Sequence, residues 1–580
     1  MEENMIQLKG IPASPGIAVG KAFFLDKEEF SIKKHSIDKE SVESELLRFD
    51  EAVNKSNLEL NQVKQKISDS MGTKDARIFE AHLLLLKDPV FVEKIKENVK
   101  NNLINIEYAV WQATEDLSAF FRNSEDVVLA ERAADIYDVG RRILRNLLGK
   151  EREILANLKE EVIVIASDLA PSDTAEMRKE KVIGFVTDMG GRTSHVAIMA
   201  RSLAIPAIVG LKEVTQRVEP DDLIIVDGIQ GIVIINPSEE ILEKYRQEKE
   251  KITIVENELI KLKDVSAKTI DQREITIFAN IEVPEEVETA VKYGAQGIGL
   301  YRTEFLFLNR KSLPTEEEQF RAYKHVAQIM SPNPVVIRTL DLGGDKFLSQ
   351  LNVSSEINPS LGCRGIRLCL QNPEIFKVQL RAILRASVFG KLKIMYPLIS
   401  GIEELRSANT ILKEVKEELL SKGIEINKDI EVGSMIEVPS AAITADIIAK
   451  ESKFFSIGTN DLIQYSLAID RVNEKIAYLY EPLHPGILRL IKMIVEAADK
   501  AGIKVAMCGE MAGDPFFLPI LIGLGLKELS MGPISVPKIK DMVINASYEK
   551  SKILTEKIMK LASAKEIEEY LQTQGWKLYI

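Results

Sequence analysis

The sequence predicts an α/β multidomain protein: a helical subdomain inserted in an α/β domain, followed by a C-terminal (β/α)8 TIM barrel. Three observations predict it. The stretch from about 34 to 146 has a helical texture and is flanked on both sides by short apolar runs. One highly charged segment then separates this region from the rest. Beyond residue 272, eight strand-like runs alternate with helical segments over about 260 residues, the pattern of a TIM barrel.

Residues 10–25 (GIPASPGIAVGKAFFL) are punctuated by Gly and Pro and then read as strand. From 34 to 146 the breakers thin out to Gly72, Pro89 and Gly140, while Leu46, Phe49, Val53, Leu60, Val63 and Ile67 recur at helical spacing. From 161 the pattern reverts to short apolar strands (EVIVIA, VIGFVT, AIPAIVG, LIIVDG, GIVIIN) alternating with short helical pieces. The opening strands are assigned to this same domain, so the expected division is 1–33 with 147–236, a helical insert at 34–146, a linker helix at 237–263 and a barrel at 264–580. Residues 238–263 form one charged helix with a thin seam of Ile241, Tyr245, Ile252, Val255, Leu259 and Leu262. It spans roughly 40 Å at 1.5 Å per residue. The seam fits an interdomain connector and a plain surface helix equally well. The barrel runs are TIFANIE, GIGLYRTEF, VVIRTLDLGG, KIMYPLIS, EVGSMIEVP, FFSIGTNDL, KVAMCGEM and ELSMGP.

The composition excludes several classes of function. A formal net charge of −12 argues against general nucleic-acid binding, which needs a basic footprint. Three cysteines (Cys363, Cys369, Cys508) imply no disulfide framework and fit a reducing cytoplasm. The opening MEENMIQLKG holds no apolar signal core. The most apolar window, Phe516 to Leu526, is too short to span a bilayer and contains Pro519. No membrane insertion is expected.

Polar residues close nearly every barrel run, at the strand ends where barrel active sites are built. Arg302 ends the second run and Arg338 the third; Arg364 and Arg367 follow in NPSLGCRGIR, and Arg471 follows the sixth. A lone arginine there is usually a rim charge, but several on one face fit a bidentate site for phosphate or carboxylate. Gly343, Gly344 and Lys346 add a flexible turn and another cation. The fifth run ends in Glu437 and the sixth in Asn460 and Asp461. Two carboxylates on adjacent strands suit Mg²⁺, which takes one or two carboxylates plus substrate oxygens and water. They also suit simple pairing with the arginines. Cys508 closes the seventh run, either as a buried small hydrophobe or, among charged strand ends, with a chemical role.

A second focus is GGRTSHVAIMARSLAIPAIVG, residues 190–210. Thr193 or Ser194 can cap the helix that VAIMARSL should form, which puts His195 near a helix N-terminus. The dipole there favours the neutral, nucleophilic imidazole and would stabilise an attached phosphoryl group. Taken alone, the segment fits a capping-region histidine as well as a nucleophile.

GGRTSHVAIMAR resembles the phosphohistidine signature of the PEP-utilizing enzyme family: Enzyme I of the bacterial sugar phosphotransferase system, pyruvate phosphate dikinase and phosphoenolpyruvate synthase. The runs LYRTEF, IRTLDLGGDK, NPSLGCRGIR, SMIEVPSA, IGTNDLIQY and CGEMAGDP resemble the family's phosphoenolpyruvate barrel. The resemblance covers almost the whole chain. The dikinase and synthase have an ATP-binding domain of some hundreds of residues before the phosphohistidine domain. Here a compact helical unit precedes it, as in the Enzyme I branch, and residues 72–88 (GTKDARIFEAHLLLLKD) resemble that branch's docking helix. Cys363, between Gly362 and Arg364, departs from the family pattern.

The resemblance implies the following. Phosphoenolpyruvate binds on the barrel with Mg²⁺ held by Glu437 and Asp461. Arg302, Arg338, Arg364 and Arg471, with Asn460 and Lys346, hold its phosphate and carboxylate. His195 attacks phosphorus in line, and Cys508 protonates the departing enolpyruvate to pyruvate. Phospho-His195 passes the group to a histidine of the phosphocarrier protein HPr, docked on the helical subdomain, as the first step of sugar uptake. The family is a homodimer joined through the barrel.

Overall fold

The computed structural model describes residues 5–574 apart from 26–31, 71–82, 84, 87, 123–126, 150–157, 159, 168, 170–180, 191–194, 204, 221, 308–311, 344–357 and 471–475. For others, chiefly 62–70, 120–122 and 127–135 and including His195, it describes the backbone alone. The chain divides into two compact units, Met1–Glu250 and Lys251–Ile580.

The first unit is built on an eight-stranded mixed sheet. Its strands are β1 (Ile6–Lys9), β2 (Ile11–Ser14), β3 (Ile17–Phe24), β4 (Val162–Ala166), β5 (Val182–Thr187), β6 (Ala207–Val209), β7 (Leu223–Asp227) and β8 (Ile232–Ile235). Their order is β1-β8-β7-β3-β4-β5-β6-β2. Each run read from sequence forms a strand, because each is short, apolar and β-branched. β3 lies between antiparallel β7 and parallel β4. The whole helical segment is inserted between β3 and β4, which are neighbours in the sheet.

The insert contains helices Val42–Ser70, Pro89–Asn102, Ile106–Arg122 and Val127–Leu148. They close over a core of their own that includes Phe49, Leu60, Ile95, Val99, Ala109, Ala113 and Ile143. Neither Pro89 nor Gly140 breaks a helix. Pro89 starts one, at a position where its missing N–H has no partner to lose. Gly140 sits inside Val127–Leu148 because a Cβ there would lie 2.2 Å from Thr114 Oγ1 on the facing helix. Most of 72–88 lies outside the described residues. The charged linker forms one helix over Glu239–Ile260. Leu242 and Tyr245 are buried, and Tyr245 OH donates to Asp227 Oδ2 at 3.4 Å, so the start of the helix rests on the end of β7.

The second unit contains a closed, fully parallel barrel of β9 (Thr276–Ile281), β10 (Ile298–Arg302), β11 (Pro334–Arg338), β12 (Lys391–Tyr396), β13 (Glu431–Ile436), β14 (Phe454–Ile457), β15 (Lys504–Met507) and β16 (Glu528–Met531). The eight runs of the sequence are these eight strands. Alternate residues split between two cores. Val335 and Ile337 face the surrounding helices, whereas Val336 joins Leu300, Met395, Met435, Phe454 and Cys508 inside the barrel. Phe516 to Leu526 supplies the short buried helix Leu518–Gly523. Among the described residues, no helix is long and apolar enough to cross a membrane.

Candidate active site

The C-terminal ends of the barrel strands gather a dense ionic cluster. Arg302, the last residue of β10, donates through Nη1 to Glu282 Oε1 at 2.8 Å. Arg338, the last residue of β11, pairs through Nη2 with Glu304 and through Nη1 with Asp341 Oδ2 at 3.0 Å. Arg364 donates to both oxygens of Asp341 at 3.2 Å, to Asp461 Oδ2 at 3.4 Å and to the Tyr465 hydroxyl at 3.2 Å. Asp341 therefore bridges two arginines, one at the end of β11 and one in the loop before helix Ile366–Gln371. Burial works against the charge on Arg338 and Arg364. The carboxylates outweigh it, Glu304 and Asp341 for the first and Asp341 and Asp461 for the second, and hold both guanidinium pKa values above the ordinary range. Burial also opposes the Asp341 charge, and Arg338 and Arg364 overcome it, holding the carboxyl below the usual range.

Glu437 follows β13 directly and is 2% exposed. Its Oε1 accepts from Leu398 N at 2.6 Å. Its Oε2 lies against Gly458, where a Cβ would come within 2.5 Å, so any larger residue there would push the carboxylate aside. Burial, then the neighbouring Asp461 and Asp341, push its carboxyl up to about 8. Asn460 and Asp461 lie in the first turn of helix Thr459–Leu467, after β14 has ended at Ile457, and not in the strand itself. Asn460 exchanges two hydrogen bonds with Glu510, Nδ2 to Oε1 at 2.9 Å and Oδ1 from the backbone N–H at 3.1 Å.

Cys508 stands one residue past β15, facing the barrel interior at 2% exposure. Burial, with Glu437 adding in the same direction, pushes its thiol up to about 11, so it holds its proton at neutral pH. Arg367 does not join the cluster. Its Nε donates to Glu404 at 3.3 Å, on helix Ile402–Ser421. Lys346 and Arg471 lie outside the described residues. Sequence reasoning missed Glu282, Glu304 and Asp341, the carboxylates that hold the arginines. The one signal for Asp341 was its place three residues after Arg338, in the loop beyond a strand end.

A hard divalent cation fits this donor set. Glu437 and Asp461 offer oxygen, and the Asp461 carboxylate disfavours the charge on Glu437, a repulsion that a bound cation would relieve. No group of three or more His, Cys, Asp and Glu among the described residues forms a metal cage. A cation here would draw its remaining ligands from substrate and water, as Mg²⁺ commonly does. A separate cavity of about 540 Å³, lined by Thr276, Pro334, Lys391 and Lys504, opens at the N-terminal ends of the strands, the face where barrels do not build active sites.

In the first unit, His195 is the first residue of helix His195–Ser202. Val196, Ala197 and Ala200 dock that helix on Phe185, Ala207 and Val209. The loop leading to it leaves β5 through Asp188, whose carboxylate accepts from Val214 N, Thr215 N and the Thr215 hydroxyl. The candidate cap residues Thr193 and Ser194 lie outside the described residues.

Three family models match the chain: the PEP-utilising enzyme N-terminal domain over residues 9–132, its mobile domain over 158–231 and its PEP-binding domain over 256–548. Proteins named phosphoenolpyruvate-protein phosphotransferase match along nearly their whole length. That of Staphylococcus carnosus is 46% identical, covering 97% of this chain and 98% of its own. That of Geobacillus stearothermophilus is 47% identical, with 97% of each covered. That of Listeria monocytogenes is 47% identical, with 98% of this chain and 99% of its own. The chain belongs to the phosphoenolpyruvate-protein phosphotransferase family of PEP-utilising enzymes. The PEP-binding match takes in the barrel and its ionic cluster, and the mobile-domain match takes in His195.

Proposed function

We propose that the protein moves the phosphoryl group of phosphoenolpyruvate to its own His195 and then to a histidine of HPr, releasing pyruvate, as the first step of sugar uptake. The observation that carries the reading is the cluster of Arg302, Arg338, Arg364, Glu437 and Asp461 at one end of the barrel. Phosphoenolpyruvate presents a phosphate and a carboxylate, and fork-shaped guanidinium groups match both. In this reading Asn460, Lys346 and Arg471 complete the substrate contacts.

His195 attacks phosphorus along the line of the bridging oxygen. An N–P bond forms, the P–O bond to enolpyruvate breaks, and the electron pair leaves on that oxygen. C3 of enolpyruvate then takes the proton of Cys508, giving pyruvate and a thiolate that solvent reprotonates. Burial raises the Cys508 thiol and keeps it protonated at neutral pH, the state from which a general acid starts. Glu437 and Asp461 would hold Mg²⁺, which neutralises phosphate charge when bound.

The domain roles follow. Residues 1–33 with 147–236 carry the phosphohistidine, 34–146 dock HPr, 237–263 link, and 264–580 bind phosphoenolpyruvate and join two copies in a homodimer. The protein works in the cytoplasm. The test is incubation with labelled phosphoenolpyruvate and Mg²⁺, with and without HPr. Acid-labile label on the chain, passed to HPr without nucleotide, is expected. No label on the chain would leave a scaffold that only binds phosphoenolpyruvate, and a nucleotide requirement would leave a dikinase-like enzyme.

A further inference from the structure

Cys508 is held in an unusual way. Its N–H donates to Ile457 O at 3.1 Å, on β14. On its other side the β15–β16 ladder has ended, with Ala506 opposite Glu528 and Met507 opposite Leu529 as its register. The Cys508 carbonyl takes a side-chain donor from one strand further round the barrel: Asn280 Nδ2, on β9, at 3.0 Å. The same Nδ2 donates to Ser530 O at 3.3 Å, and Asn280 Oδ1 accepts from Ser530 Oγ at 2.6 Å.

These three bonds fix which way the amide points. Reversed, it would set its oxygen against two carbonyl oxygens and lose the serine proton. Ser530 is fully buried. Room for its hydroxyl exists because Gly299 on β10 has no Cβ, which would stand 2.4 Å from Ser530 Oγ. The Asn280 bonds go to Cys508 and Ser530, and none goes to the arginines or carboxylates of the anion cluster.

We infer that Asn280, oriented by Ser530, is a positioning residue for the Cys508 thiol. The inference rests on the proposed role of Cys508 as proton donor to C3. Clamping the carbonyl sets the backbone from which the thiol projects, and the thiol leans on Ile457 O at 3.6 Å. Proton transfer to carbon needs donor and acceptor within hydrogen-bond reach, so a slackened backbone lowers the rate without touching substrate affinity.

The experiment uses the full-length chain with Asn280→Ala, Asn280→Asp and Ser530→Ala, each alone and with Cys508→Ser. Asn280→Asp keeps the shape and loses both donors. Ser530→Ala keeps the donors and frees the amide. A thermal shift with phosphoenolpyruvate checks folding of each. Transfer from phosphoenolpyruvate should slow on the order of 10- to 100-fold in both Asn280 variants and less in Ser530→Ala. KM for phosphoenolpyruvate should stay within about twofold, and exchange with phospho-HPr should not change. In the Cys508→Ser background the same changes should add little, because residues acting through one group are not additive. Proton delivery to C3, read with stereospecifically labelled phosphoenolpyruvate, should lose its facial preference. Equal slowing of both half-reactions, or full additivity with Cys508→Ser, overturns the inference and leaves Asn280 a structural plug. Wild-type rates in the Asn280 variants, with Cys508→Ser slow, overturn it and leave the role of Cys508 standing. A wild-type rate in Cys508→Ser itself sinks the proton-donor reading, and the inference falls with it.

Discussion

Glu437 is buried beside two further carboxylates, an environment far from water. An unfolded glutamate titrates near pH 4.3, and burial with two carboxylate neighbours raises the folded value to about 8. The raised pKa contributes stability that is fully present below about pH 4.3 and lost as pH rises through 8. In metal-free protein, Glu437→Gln should therefore match wild type near pH 4 and become the more stable of the two as pH rises, by several kcal/mol above pH 8. Mg²⁺ should stabilise wild type at pH 8.5 and leave the variant unmoved. Urea midpoints across that range check both, and a stability difference constant with pH would contradict the assignment. Asp341 poses the opposite case. Asp341→Asn leaves two buried guanidinium groups short of charge, a loss of about 3 kcal/mol or more for a buried pair. A bound anion restores part of it, so thermal melting should show a larger stabilisation by phosphoenolpyruvate in the variant than in wild type. An equal or smaller shift would place Asp341 outside the anion site.

The elements differ in how far their own residues announce them. The eight barrel strands were legible because each is a compact apolar run, nearly all of them closed by a polar residue, and Arg302 and Arg338 stand where the strands stop. The partners Glu282, Glu304 and Asp341 were not, because carboxylates that hold arginines differ from solvated ones only in burial. The sequence reading carried β14 on to Asp461, four residues past its end at Ile457, since GTNDL continues a strand-like run while Asn460 and Asp461 already belong to a helical turn. Gly140 read as a breaker because its reason lies on another helix. Gly140→Ala should raise helix propensity by about 1 kcal/mol yet lower stability, since the new methyl meets Thr114. Thr114→Ala should recover part of the loss. A Gly140→Ala chain that melts above wild type would mean the two helices part easily.

At the scale of the whole molecule, the order of the mixed sheet was illegible, since β1 and β2 pair with β8 and β6 some 200 residues away and no local pattern records such partners. The helical unit itself was legible from texture; its insertion rested on assigning the opening strands to the later sheet, a pairing that no local pattern records. The proposed division of labour puts the nucleophile in one compact unit and the donor site in the other. A fragment of residues 1–250 should take phosphate backwards from phospho-HPr and not from phosphoenolpyruvate. A fragment of residues 251–580 should bind phosphoenolpyruvate and Mg²⁺ and stay unphosphorylated. A folded N-terminal fragment that cannot exchange with HPr would remove the docking role of the helical insert. The most direct test of the central claim maps the phosphoryl group itself. Wild type treated with labelled phosphoenolpyruvate and Mg²⁺ should carry one acid-labile phosphate per chain on His195, and His195→Ala should carry none while still binding phosphoenolpyruvate. Stoichiometric label in His195→Ala, on His325 or His484 for example, would contradict the account.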